Sequence, residues 1–106
     1  MEKLATLLKE HFEWSTKTFG AERSPIAAIK HLRKEVDELL EAALSGEAYS
    51  LREEMADVFL LLLDATYRSG YTFDQLVDDA QIKLDINKRR VWAVPEDPEE
   101  PAEHVR

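Results

Sequence analysis

The sequence predicts an all-α chain, four helices forming a bundle that a second copy of the same chain completes. Three observations carry this. Apolar residues recur at i, i+3, i+4 and i+7 in four separate stretches. The three glycines and four prolines fall between or after those stretches. No stretch shows the apolar–polar alternation of a half-buried strand.

The first helix is expected from about Glu2 to Lys17, with Leu4, Leu7, Leu8 and Phe12 along one stripe, and Gly20 breaks it. Ser24-Pro25 reads as an N-cap followed by proline at the first helical position. The second helix carries Ile26, Ile29, Leu32, Val36, Leu39, Leu40 and Ala43 at helical spacing and stops at Ser45-Gly46. Ser50 with Glu53 reads as a capping box opening the third helix, which ends near Ser69-Gly70. Thr72 with Gln75 reads as a second box, and the fourth helix places Phe73, Leu76, Val77, Ala80, Leu84 and Val91 on one face. One domain is therefore expected over residues 1–95. Residues 96–106 form an acidic, proline-rich tail with too few apolar groups to order itself, and it is expected to be flexible.

Composition narrows the function classes. There is no cysteine, which excludes disulfides and thiolate metal sites. The longest apolar run, Val58 to Leu63, is far too short to cross a bilayer, and no secretory leader is visible, so a cytosolic setting is expected. The net charge of −8 repels nucleic acid, whose binding needs clustered Lys and Arg; neither a nucleic acid polymer nor a membrane is an expected partner. A compact polyphosphate remains admissible if a metal supplies the positive charge. Val58–Leu63 is apolar around the whole helix circumference, and in so small a chain such a helix is expected to be covered on one side by a second subunit, the alternative being a central helix wrapped by its own three neighbours.

The chemistry-bearing feature is a pair of carboxylate pairs. Glu35 and Glu38 stand three residues apart on the second helix, Glu54 and Asp57 three apart on the third, with fifteen residues between the pairs. Spacing of i, i+3 puts each pair on one side of its helix, and a short connection makes the helices antiparallel neighbours. At ~100° per residue, Glu35 and Glu38 fall beside the apolar stripe centred on Val36, at the rim of the core. Four carboxylates converging there repel unless cations lie between them, and Mg²⁺ or Mn²⁺ suits an all-oxygen set. The residues alone leave two readings open, a divalent-cation site or two solvated glutamate-rich faces. Di-iron chemistry is disfavoured, since neither pair has a histidine three residues along; His11, His31 and His104 read as surface or packing residues.

The order Glu35-x-x-Glu38, fifteen residues, Glu54-x-x-Asp57 resembles the signature of the MazG-like nucleotide pyrophosphohydrolases. Further elements are similar to its short dATP/dGTP diphosphohydrolase branch, which includes the phage MazZ proteins. These are Trp14-Ser15 with Thr18-Phe19-Gly20, His31-Leu32-Arg33-Lys34-Glu35, Asp57-Val58 leading into Leu63-Asp64-Ala65-Thr66-Tyr67-Arg68-Ser69-Gly70, and Lys83-x-x-x-Asn87-x-x-Arg90-x-Trp92. The likeness spans residues 12–92, while the segment after Trp92 lacks the short Trp-rich ending of that branch.

The resemblance implies a MazG-like bundle, a homodimer or homotetramer, in a bacterial or phage-infected host cytosol. It implies cleavage of a (deoxy)nucleoside triphosphate between the α and β phosphates to a monophosphate and pyrophosphate, with dGTP and dATP favoured. Glu35, Glu38, Glu54 and Asp57 would hold two or more Mg²⁺ ions, Mn²⁺ being able to substitute. Glu35 and Glu38 would be catalytic, with Glu38 as the general base. Lys83, Asn87 and Arg90, at i, i+4 and i+7 on one flank of the fourth helix, would meet phosphate and sugar; a solvated helix edge is their structural alternative. Trp14 and Phe19 would stack on a purine; core packing is theirs. Asp64, seven residues after Asp57, either supports the metal shell or caps a polar seam. The rival readings are a hydrolase of pyrimidine or damaged nucleotides and a non-catalytic helical dimerisation module.

Overall fold

A computed structural model describes residues 2–105. The element order is α1 (Glu2–Phe19), α2 (Pro25–Ser45), α3 (Ala48–Arg68), α4 (Phe73–Arg89), β1 (Trp92–Ala93) and β2 (Glu103–His104). The all-α expectation is met by four helices, with one two-residue strand pair added. The chain divides into two compact units, Met1–Phe73 and Asp74–Arg106.

Local rules set the ends of α2. Ser24 takes the extended conformation and its hydroxyl accepts from the Ile26 amide at 3.0 Å, with Pro25 behind it at the first turn. Gly46 closes the helix in the left-handed region, φ 75°, where a Cβ would be strained. The expected capping box at Ser50 does not form. The chain turns through Gly46 and Glu47 alone, α3 starts at Ala48, and the Ser50 hydroxyl donates instead to Glu47 Oε2 at 3.0 Å.

In the first unit α2 packs along α3, and α1 also meets α3. The buried hydrophobic residues among those described are Ala28, Ala42, Leu61, Leu63 and Ala65, joined by the polar His11, Ser15, Asp64 and Thr66. This corrects the expected cores of two helices. On α1 the buried residues are His11 and Ser15, while Leu7 and Phe12 are exposed. On α2 they are Ala28 and Ala42, while Ile26, Ile29, Val36, Leu40 and Leu44 stay exposed. At ~100° per residue those five large side chains share one stripe, with the two alanines on the other side. The physical reason is distance: alanines let the α2 and α3 backbones approach closely, and the bulky stripe faces away.

In the second unit no residue of α4 is buried. The tail pairs antiparallel with the segment after α4, Trp92 opposite His104 and Ala93 opposite Glu103, and the Val105 amide donates to Val91 O at 2.6 Å. Backbone hydrogen bonds, together with Trp92 edge-on to His104, make this pairing without burying apolar area, a route the composition does not reveal.

Candidate active site

The close α2–α3 packing brings the carboxylate pairs together. Glu35, Glu38 and Glu54, all half-buried, each offer an oxygen, and the three oxygens lie within 4.8 Å of one another. Asp57 is not in this triplet; it is more exposed and lines the adjoining cleft with Glu35. Glu35 and Glu38 thus sit on the α2 face that meets α3, not beside an apolar core stripe. Their crowding acts on the Glu35 carboxyl, which is pushed up to about 7. A hydrogen bond with Glu38 contributes most, then burial, the Glu38 charge, a bond with Glu54 and the Asp57 charge. A shared proton here does what a cation would do better.

The donor set fits a divalent ion. All donors are hard carboxylate oxygens, and Glu54 Oε2 is buried without a hydrogen-bond partner among the described residues. An acceptor with no donor, in a group of three acceptors, is a place where a divalent ion would relieve the repulsion.

Beside the carboxylates opens a cleft of about 140 Å³, lined by His11, Trp14, Phe19, His31, Glu35, Asp57, Leu60, Leu61 and Asp64. Trp14, 55% exposed, meets Phe19 edge-to-face with centroids 5.5 Å apart. Both aromatics line the cleft, and neither is buried. His11, buried and held toward its neutral form chiefly by desolvation, turns an Nδ1 with no partner among the described residues.

Asp64 resolves as a buried hub. Only 1% exposed, it accepts from the Ser15 hydroxyl and from Arg68 Nε at 3.2 Å, and Arg23 Nη1 lies 3.3 Å from its other oxygen. The Arg23 approach lacks hydrogen-bond angles and is an ion pair only. Arg68 also donates to the Ser15 carbonyl at 3.1 Å and to that of Gly20, tying the end of α1 to α3. Arg23, Arg68, Ser15, His11 and His31 were not singled out from the sequence as site residues. Asp64–Arg68 and His31–Glu35, each at i, i+4, were readable as local pairs.

Lys83, Asn87 and Arg90 belong to the second unit. Arg90 falls just past the end of α4 and not on its flank, because its amide bonds to the Asn87 carbonyl at 3.2 Å in a tightened last turn. Its guanidinium donates to Asn87 Oδ1 at 3.2 Å, and Trp92 Nε1 donates to the Asn87 carbonyl at 2.9 Å. Lys83 is exposed.

Comparison with known proteins meets this geometry. The chain is 44% identical over 99 residues to the Eaa protein of Salmonella phage P22, covering 92% of this chain but only 28% of that protein. Its fold is similar to a solved MazG-like pyrophosphohydrolase of cyanophage S-2L, bound to dGDP and three catalytic Mn²⁺ ions per active site. The TM-score is 0.73 at 28% identity, over 96% of this chain and 92% of the other. The model of the dATP/dGTP pyrophosphohydrolase family matches residues 7–106. Two neighbouring helices whose carboxylates converge, and a family match over nearly the whole chain, lead to one assignment: this chain belongs to the dATP/dGTP pyrophosphohydrolase family.

Proposed function

We propose that the chain hydrolyses dGTP and dATP between the α and β phosphates, releasing the deoxynucleoside monophosphate and pyrophosphate in the cytosol. The observation that carries this is the triplet of carboxylate oxygens within 4.8 Å of one another, opening on an aromatic-lined cleft. Glu35, Glu38, Glu54 and Asp57 are the residues that would hold Mg²⁺, or Mn²⁺ in its place. Such ions, when bound, clamp phosphate oxygens and make a water acidic enough to attack phosphorus. Glu38 takes the proton of the water that attacks the α-phosphorus, and pyrophosphate leaves from the opposite side. Trp14 and Phe19 stack on the purine. Lys83, Arg90 and Asn87 contribute charge and hydrogen bonds to phosphate and sugar.

Incubation with Mg²⁺ and, separately, dGTP, dATP, dCTP, dUTP and dTTP tests this by scoring pyrophosphate and monophosphate. Both products should appear fastest from the two purines. Faster turnover of a pyrimidine would replace the substrate reading, and silence with all five would leave the non-catalytic module.

Cation and proton compete for the same oxygens, which gives a second expectation. Glu35 has a folded-state pKa of about 7, raised from an ordinary 4.5. Folding therefore binds a proton between those values, and the metal-free chain should lose stability as pH rises from 4.5 through 7. By linkage the loss is confined to the pH window between those two values. Millimolar Mg²⁺ or Mn²⁺ should raise the Tm, and more at pH 8 than at pH 5. A Tm indifferent to both ions at pH 8 would contradict a cation site.

The same reading includes a homodimer or homotetramer. Leu40 and Leu44 are 58% and 73% exposed on the bulky stripe of α2, and three of the five buried hydrophobic residues described are alanines. So small a core is marginal alone, and a continuous apolar stripe marks an interface. Leu40→Glu should lower the mass seen by sedimentation velocity to that of a smaller species. An unchanged oligomer would place the interface elsewhere.

A further inference from the structure

Arg23 lies in the turn between α1 and α2 with its side chain only 11% exposed. A guanidinium so enclosed needs partners on every side. Nη1 faces Asp64 Oδ2 at 3.3 Å, Nη2 donates to His31 Nδ1 at 3.0 Å, and Cζ stands 4.3 Å from the Phe19 ring centroid. Guanidinium nitrogens only donate, so His31 Nδ1 must accept. The proton of the neutral ring is then on Nε2, and Nε2 lies 3.6 Å from Glu35 Oε1. Phe19 packs edge-on against the same imidazole, centroids 6.1 Å apart at 83°, so the ring's tilt is set as well as its tautomer.

We infer that Arg23 and His31 are positioning residues for the cation site. Arg23, anchored by Asp64, holds His31 as the Nε2–H tautomer, and that N–H steadies Glu35 Oε1 so that the carboxylate stays turned toward Glu38 and Glu54. The inference rests on the reading of these carboxylates as cation ligands. At 3.6 Å the His31–Glu35 approach is longer than a hydrogen bond; its effect is the electrostatic orientation of a carboxylate by an N–H dipole. A packing role would ask only for a flat ring at position 31. A positioning role asks for a donor where Nε2 stands, and that difference is measurable.

Mn²⁺ binding to the full chain without nucleotide, at pH 8 and followed by the electron paramagnetic resonance of free Mn²⁺, separates the two. His31→Phe keeps a ring and loses the donor; His31→Gln loses the ring and supplies an amide N–H without needing Arg23. His31→Phe and Arg23→Met should each weaken Mn²⁺ binding ~10–100-fold, with His31→Gln within about threefold of the unmodified chain. Adding Arg23→Met to His31→Gln should weaken binding far less than it does beside His31. Independently, ¹⁵N NMR of the metal-free chain should show His31 protonated at Nε2 and bare at Nδ1, shifting to a tautomer mixture in Arg23→Met. If Arg23→Met fails to fold by circular dichroism, the His31 pair and the tautomer of the unmodified chain still decide. His31→Phe binding as tightly as the unmodified chain, or a proton found on Nδ1, would overturn the inference alone. Absence of Mn²⁺ binding by the unmodified chain would overturn the cation reading and this inference with it.

Discussion

Glu38→Gln is expected to cut pyrophosphate release by ~10²–10⁴-fold, the range for loss of a positioned general base, and Asp57→Asn to abolish turnover similarly if its charge completes the cation site. The fold should survive both. Hydrogen bonding to Glu38 is the leading cause of the raised Glu35 carboxyl, and the Asp57 charge is a lesser one. Removing either negative charge relieves repulsion in the metal-free chain. With EDTA at pH 8, Glu38→Gln should therefore melt no lower than the unmodified protein, and Asp57→Asn should show a smaller effect of the same sign. Activity and stability thus move in opposite directions, which mere unfolding does not produce. Unchanged turnover in both variants would remove these carboxylates from the reaction.

Asp64→Asn should show the reverse sign on stability. Asn fills the same space, so what is lost is charge facing Arg23 and Arg68 across 3.3 and 3.2 Å. Removing one partner of a buried ion pair costs ~3–5 kcal/mol, because the remaining charges stay desolvated. For a chain of this size that is roughly a 12 °C or greater fall in Tm. Thermal unfolding by circular dichroism at pH 7 measures it. A fall under about 1 kcal/mol would mean that both guanidiniums find other partners. Two acidic residues on one small helical unit, Glu38 and Asp64, thus carry opposite stability signs. One is repelled by its neighbours and the other is matched by them.

Much of the first unit was legible because its rules are local. Ser24, Pro25 and Gly46 bound α2 through hydrogen bonds and backbone angles set within four residues. Where a local signal failed, a nearer one won: the Gly46-Glu47 turn started α3 before the Ser50 box was reached. The i, i+3 carboxylate pairs were legible for the same reason. The Arg23–Asp64 and Arg23–His31 contacts were not, since no rule of short spacing joins residues 41 and 8 positions apart across a turn.

By itself the sequence determined the two ends of α2, and which acidic side chains leave each helix together. It left open the rotation of each helix about its own axis, because an apolar stripe can face the chain's own core or another subunit equally well. Packing made that choice. The α2–α3 seam closed on Ala28 and Ala42, which turned Glu35 and Glu38 toward Glu54 and left Ile26, Ile29, Val36, Leu40 and Leu44 exposed. Helix azimuth depends on the closest approach of two backbones, a property of the pair that neither strand of local sequence contains.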